Sequence, residues 1–388
     1  VLQAGCVLTG AGLVRPGFVT GSQGDIAEIE EGRHPDPDRD FGDGMIVPGF
    51  IDLQINGAAG CDFLLPTDEG LEAAHAHLIA TGTVAYLPTL ISAPEERLRA
   101  ALAFFATRMR DAGPPRILGV HLEGPFLSPA RPGAHPPEHL RRPSVEWLSG
   151  LMADFPGLIR IVTLAPELEG ALPLVDYLVA QGIVVAVGHT DATYAEAAAA
   201  FDRGARLATH LFNAMRPYHH REPGVAGAAL AHGDVMCSVI ADLVHLHPAV
   251  VDQVVALKGI EMTVLVTDAI SAAGGEGSEF TLGGRRVRVI DGAPRLEDGT
   301  LAGSVLAMDQ AVRNVAARSG QWECAVRMAS TTPARLLGVQ GGELRPGRGA
   351  DFVVLSRDLA VSAVVSGGVL ITPEAVGPPI PGPGSSTP

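Results

Sequence analysis

The chain has 388 residues, enough for one large domain with an accessory piece or for two medium domains. Hydrophobic residues make up 47% of it and charged residues 18%, yet no run of about 18 uncharged apolar residues could span a bilayer. A formal net charge of -15 repels phosphate backbones and anionic membranes, which argues against nucleic acid and membrane partners and obliges a small anionic substrate to find a local basic pocket.

The opening stretch VLQAGCVLTGAGLV has no basic segment ahead of an apolar core and no cleavage-site pattern, so a cytoplasmic location is expected. Cys6, Cys61, Cys237 and Cys324 are scattered without CxxC spacing and read as core or incidental thiols in a reducing compartment. Lys258 is the only lysine; the other basic residues are arginine.

In chain order, GFVTGSQGDIAEIEEG alternates around turn glycines and reads as β structure. Short apolar runs then alternate with helical patterns: FIDLQI (50–55), TVAYLPTL (83–90), ILGVHLEG (117–124), IRIVTLAP (159–166), IVVAVGHT (183–190), RLATHLF (206–212), VMCSVIAD (235–242) and MTVLVTDA (262–269). Among the helical intervals, EGLEAAHAHLIATG and TYAEAAAAFDRGA are rich in Ala and Leu, with Gly82 and Gly204 as C-terminal stops. Eight such runs with intervening helices are the number that closes a TIM barrel. An open doubly wound sheet is the rival, and it finds no glycine fingerprint here. EFTLGGRRVRVIDGAPRLEDGTLAGS reads as hairpins inserted beyond the eighth strand. The Val-rich runs of GRGADFVVLSRDLAVSAVVSGGVLI follow, and VGPPIPGPGSSTP closes the chain as a disordered tail. The expected fold class is α/β: a distorted (β/α)8 barrel over 48–343, a small β-sandwich built by both chain ends (1–47 and 344–375), and a tail over 376–388.

In such a barrel chemistry sits at the C-terminal ends of the strands. Here those ends are polar: Gln54 and Asn56 at the first run, Glu123 at the third, His189 at the fifth, His210 at the sixth and Asp268 at the eighth. Any one of them could be a capping or core polar group, and Thr190 and Asp191 could cap the helix that follows. Jointly, two imidazoles and a carboxylate can converge on one metal and leave an open position for water. Asp268 is then a general base that returns its proton to a leaving amine, or else a further ligand or structural acceptor. Lys258 lies ahead of the eighth strand, so no lysine is available at a strand end to bridge two metals.

PGFIDLQING, GVHLEGPFLSP, GAHPPEHL, VGHTDATY, THLFNAM, REPGVAGAAL, IADLVHLHP, LVTDAI, LAGSVLAMDQAVRN and GELRPGRGADFVVL run through nearly the whole chain. In this order they resemble the amidohydrolase superfamily, and within it the branch that deacetylates phosphorylated amino sugars. The resemblance implies that Glu123, His189 and His210 bind the catalytic divalent metal and that Asp268 is the acid/base. Much of the superfamily ends its first strand in HxH, where this chain has Gln54 and Asn56. Neutral amides are poor ligands for a second ion, so one metal per subunit is expected, zinc first, with iron, cobalt or manganese suited to the same donors. By the same resemblance His135 polarises the acetamide carbonyl, Asn213, backbone groups at Ala214 and His245 face the sugar phosphate, and Arg221 reaches the neighbouring site of a homodimer. Read without the motifs, His135 is a surface histidine in a Pro-rich loop, Asn213 a turn residue, His245 a loop histidine and Arg221 a solvated cation. The implied activity is hydrolysis of the N-acetyl group of N-acetylglucosamine 6-phosphate. The galactosamine epimer or another N-acyl substrate, and a catalytically silent binding barrel, are the rivals.

Overall fold

The computed structural model describes residues 1–110 and 113–372; the Pro/Gly-rich tail at 376–388 lies outside the described residues. Eight parallel strands follow one another around a barrel: β1 (Phe50–Ile55), β2 (Thr83–Ile91), β3 (Val120–Glu123), β4 (Ile159–Leu164), β5 (Val184–Val187), β6 (Leu207–Ala208), β7 (Met236–Ile240) and β8 (Thr263–Val266). The fold class expected from the sequence is therefore the one the chain adopts. Every residue of β2 is buried, as is expected where one face of a strand packs into the barrel and the other lies under helices.

The third to eighth strands are shorter than their apolar runs suggest, and for two of them the backbone shows why. The third run breaks at Gly119 (φ 131), leaving Arg116–Ile117 as a separate piece on β2. The sixth shrinks to two residues because His210 (φ 29) and Phe212 (φ 76) leave the β region, which ends the ladder.

Helices α1 (Asp68–Ala80) and α2 (Tyr194–Asp202) fill the two intervals singled out for their Ala and Leu content. Thr193, and not Thr190 or Asp191, caps α2, in a capping box with Glu196. Thr190 and Asp191 are taken up by other partners: the Thr190 hydroxyl and the Asp191 N–H both donate to Glu167.

The barrel does not close by a regular ladder. Between β8 and β1 the seam is held at its upper end by Asp268 N–H to Gln54 O (2.8 Å) and Asn56 N–H to Ala269 O (2.7 Å). Beneath these, the buried Asp52 carboxylate accepts the Thr267 hydroxyl (2.5 Å) and the N–H groups of Thr267 (3.3 Å) and Gln54 (3.2 Å). Burial pushes the Asp52 pKa up to about 7.

The hairpins after β8 form a three-stranded antiparallel sheet, β9 (Glu279–Leu282), β10 (Arg285–Ile290) and β11 (Ala293–Arg295). They are fastened over the barrel mouth and not beyond it. Gly283 N–H donates to Asp62 (3.0 Å), the Ser271 hydroxyl to Thr281 O (3.0 Å), and Arg285 to Ala134 O (3.0 Å).

Both chain ends build the remaining β structure. A six-stranded sheet runs Val369–Ile371, Val361–Ser366, Phe352–Leu355, Met45–Pro48, Cys6–Thr9 and Gly12–Val14, so the first and last parts of the chain lie side by side. Its side chains alternate as the pleat requires. Val7, Ile46, Val354 and Val365 face a small core shared with Val19 and Ile26 of a four-stranded sheet, while Leu8, Val47, Val353 and Leu355 join the main barrel core.

Candidate active site

The six polar strand-end residues expected to meet do so at the barrel mouth, all of them buried. Glu123 is the hub. Its Oε1 lies 3.2 Å from His189 Nε2 and 3.0 Å from His210 Nε2, and the two imidazole nitrogens are 3.1 Å apart. Candidate ligand atoms of all three fall within 4.8 Å of one another. That spacing surrounds a small common point, as a tetrahedral ion with nitrogen and oxygen donors requires.

Backbone geometry produces the convergence. His189 (φ 48), His210 (φ 29) and Asp268 (φ 49) all occupy the left-handed region, which is costly for residues with a side chain and turns each of them off its strand axis into the mouth. Gly188 lets the end of the fifth strand pass close to its neighbours just before His189, since a Cβ there would lie 2.7 Å from Thr209 Cβ and 3.0 Å from Thr163 Cγ2. At Gly133 (φ 54), a Cβ would strike the His189 ring at 2.9 Å.

Hydrogen bonds fix which ring nitrogen faces inward. His189 Nδ1–H donates to Arg131 O (3.2 Å), so the lone pair of Nε2 points at the centre. Burial, reinforced by the neighbouring His135, lowers the His189 pKa to about 4 and keeps the ring neutral. Burial would raise Glu123, but the three imidazoles of His135, His189 and His210 around it outweigh burial and hold the carboxyl well below its usual range. An ionised carboxylate and a neutral imidazole are the forms that bind a divalent ion. Nδ1 of His210 is buried without a protein partner among the described residues.

Asp268 sits beside this cluster. Its Oδ1 accepts from Asn56 Nδ2 (2.8 Å) and Gln54 Nε2 (3.3 Å), and the same Gln54 amide also donates to Glu123 Oε1 (2.8 Å). Burial, followed by the charge of Glu123, pushes Asp268 up to about 7, which suits a group that must accept and return a proton near neutrality. His135 is buried, with Nε2 3.6 Å from Glu123 Oε2. Ser92 N–H donates to its Nδ1 (3.1 Å), so the ring proton resides on Nε2.

A cavity of about 650 Å³ opens above these groups. His245, Asn213 and Ala214 line it, as do Leu282, Arg295 and Thr300 of the hairpin insert. The Asn213 side-chain amide is committed to the carbonyls of His210 (3.1 Å) and Leu211 (3.3 Å), whereas the Ala214 N–H has no protein partner among the described residues. His245 Nδ1 is bound to Asp242 Oδ2 (2.7 Å), which leaves Nε2 for a ligand. Arg221 does not line this cavity; it is exposed and donates to His220 Nε2 (2.8 Å).

Several contributors escaped the sequence reading. Ser92 follows the second strand directly and could have been found by the same strand-end logic. Asp242 stands three residues before His245, a spacing that permits a local carboxylate–imidazole pair. The insert residues carried no signal, because nothing in their sequence places them over the mouth.

The amidohydrolase family model matches residues 45–371. The N-acetylgalactosamine-6-phosphate deacetylase of Escherichia coli O157:H7 is 38% identical over 368 residues, covering 94% of this chain and 97% of the relative. The N-acetylglucosamine-6-phosphate deacetylase of Bacillus subtilis (strain 168) is 34% identical over 373 residues, covering 93% and 94%. Among solved structures, the N-acetyl-D-glucosamine-6-phosphate deacetylase of Mycobacterium smegmatis in complex with N-acetyl-D-glucosamine-6-phosphate superposes with a TM-score of 0.92 at 39% identity, covering 96% of this chain and 98% of that one. This chain belongs to the amidohydrolase family. The family implies a divalent metal, and Glu123, His189 and His210 form a cluster able to hold one.

Proposed function

We propose that the protein hydrolyses the acetamide of N-acetylglucosamine 6-phosphate to glucosamine 6-phosphate and acetate. The observation that carries the reading is the meeting of Glu123, His189, His210 and a raised-pKa Asp268 at one cavity floor, with the neutral amides Gln54 and Asn56 at the end of the first strand.

Glu123, His189 and His210 would hold a single divalent ion, with zinc first and iron, cobalt or manganese suited to the same nitrogen and oxygen donors. A bound ion supplies Lewis acidity and lowers the pKa of water in its open position. Asp268 takes the proton from the attacking water and later delivers it to the departing amine. Gln54 and Asn56 aim the Asp268 carboxylate by binding its Oδ1. His135, with its proton on Nε2, donates to the acetamide oxygen as charge develops there. His245, held by Asp242, and the free Ala214 N–H receive the phosphate, while Asn213 braces the turn that presents Ala214.

Acetate release should be fast from N-acetylglucosamine 6-phosphate and slow from the unphosphorylated sugar. Equal rates on both sugars would remove the phosphate from the reading. The galactosamine epimer belongs in the same assay, because one relative at 38% identity carries that name. A preference for it would move the assignment to the epimer.

The protein works as a homodimer in which Arg221 meets the phosphate bound by its neighbour, which accounts for an exposed arginine outside its own cavity. Co-expressed Arg221→Gln and Asp268→Asn chains, each inactive alone, should regain roughly one working site per mixed dimer. No regain would place Arg221 in its own site or in none. Unpaired cysteines and a phosphorylated substrate fit a cytoplasmic location. Among the described residues no helix is long and apolar enough to cross a membrane.

A further inference from the structure

A dianionic phosphate entering a chain of net charge -15 needs cationic company close to the mouth. Two arginines line the cavity, Arg131 and Arg295. Arg131 is already engaged, since its guanidinium pairs at 2.8 Å with Asp191, a carboxylate it shares with Arg216 (2.8 Å). Arg295 is different. It ends the last strand of the hairpin insert, is half-buried, and among the described residues has no carboxylate within ion-pair distance. Its side chain makes one protein hydrogen bond, from Nη1 to Gly299 O at 2.9 Å, and a guanidinium has five N–H donors.

The turn that Arg295 holds is tied to itself by Leu296 N–H to Thr300 O (2.9 Å) and Gly299 N–H to Leu296 O (2.9 Å). Asp298 is in the same turn, but its carboxylate is exposed, accepts the Thr300 N–H (2.9 Å), and feels the positive charge of Arg285. The turn is therefore preorganised, and Arg295 brings an uncompensated positive charge to the cavity wall.

We infer that Arg295 is a phosphate-recognition residue of this active site, supplied by the hairpin insert of the same chain and separate from Arg221. The inference rests on the deacetylase reading above. It assigns the insert a part in substrate selection: it admits sugars that bear a phosphate monoester and gives no advantage to neutral ones. A planar fork suits phosphate oxygens in a way a lysine does not, so Arg295→Lys should recover only part of the function.

The test measures kcat and KM of the metal-loaded wild type, Arg295→Gln and Arg295→Lys for N-acetylglucosamine 6-phosphate and for N-acetylglucosamine. Loss of one charge-assisted contact of about 1.5–3 kcal/mol corresponds to a fall of about 10- to 100-fold in kcat/KM on the phosphorylated sugar, carried mainly by KM. The unphosphorylated sugar should change by less than about twofold, with the lysine variant in between. Equal losses on both sugars would make Arg295 only the organiser of its turn, and no loss on either would remove it from the site; both outcomes overturn the inference. A wild type that releases no acetate from the phosphorylated sugar would instead overturn the deacetylase reading, and the inference with it.

Discussion

Asp268→Asn is expected to lose about 10²- to 10⁴-fold in turnover while keeping its fold and its metal, the range that general acid–base catalysis supplies. The side chain keeps its shape, and its remaining carbonyl oxygen can still accept from Asn56 and Gln54. What disappears is the ability to take a proton from water and pass it to the amine. Burial and the charge of Glu123 already disfavour the ionised form of Asp268, so a neutral replacement should not lower the melting temperature. Metal content and thermal unfolding, measured with acetate release on the same sample, separate lost chemistry from a lost site. An Asn variant that turns over at more than about a tenth of the wild-type rate would dismiss Asp268 as the proton carrier.

Removing the metal should be more damaging still. In the cluster Nε2 of His189 faces Nε2 of His210 at 3.1 Å, with Glu123 Oε1 at 3.2 and 3.0 Å from them. Burial acts against a charge on His210, yet the hydrogen bond and the charge of Glu123 raise its pKa, so binding an ion displaces a proton from this cluster. Chelated protein should show acetate release at background level. Activity should return on addition of one equivalent of a divalent ion per chain. Saturation at about 1,000 times the dissociation constant also adds about 4 kcal/mol to stability, visible as a higher melting temperature. Full activity after exhaustive chelation would end the metal mechanism, and restoration only by two equivalents would show that Gln54 and Asn56 do not limit the site to one ion.

The candidate site was legible in the sequence because the parallel barrel puts all its strand ends on one face, so a count of eight runs already gathers Glu123, His189, His210 and Asp268. Their orientation was not legible. His189, His210 and Asp268 leave the β region at the residue that matters, and nothing in VGHT, THLF or VTDA announces a left-handed turn except Gly188. The seam between first and eighth strands was hidden for a related reason. FIDLQI reads as an ordinary buried strand, and the one charged letter in it, Asp52, carries the bonds to Thr267 that take the place of a ladder. The position of the hairpin insert depends on long-range bonds that Gly283 and Arg285 donate to Asp62 and Ala134, which local pattern cannot encode.

The six-stranded sheet has a bearing on how the molecule is made. Val47 takes as its neighbour Val353, roughly 300 residues later in the chain. Until that strand arrives, Met45–Pro48 pairs with Cys6–Thr9 along one edge and has an open ladder along the other, although the barrel strands between are complete. The wall common to both cores is finished only when synthesis has passed Leu355, and a nascent chain must shield this open edge in the meantime.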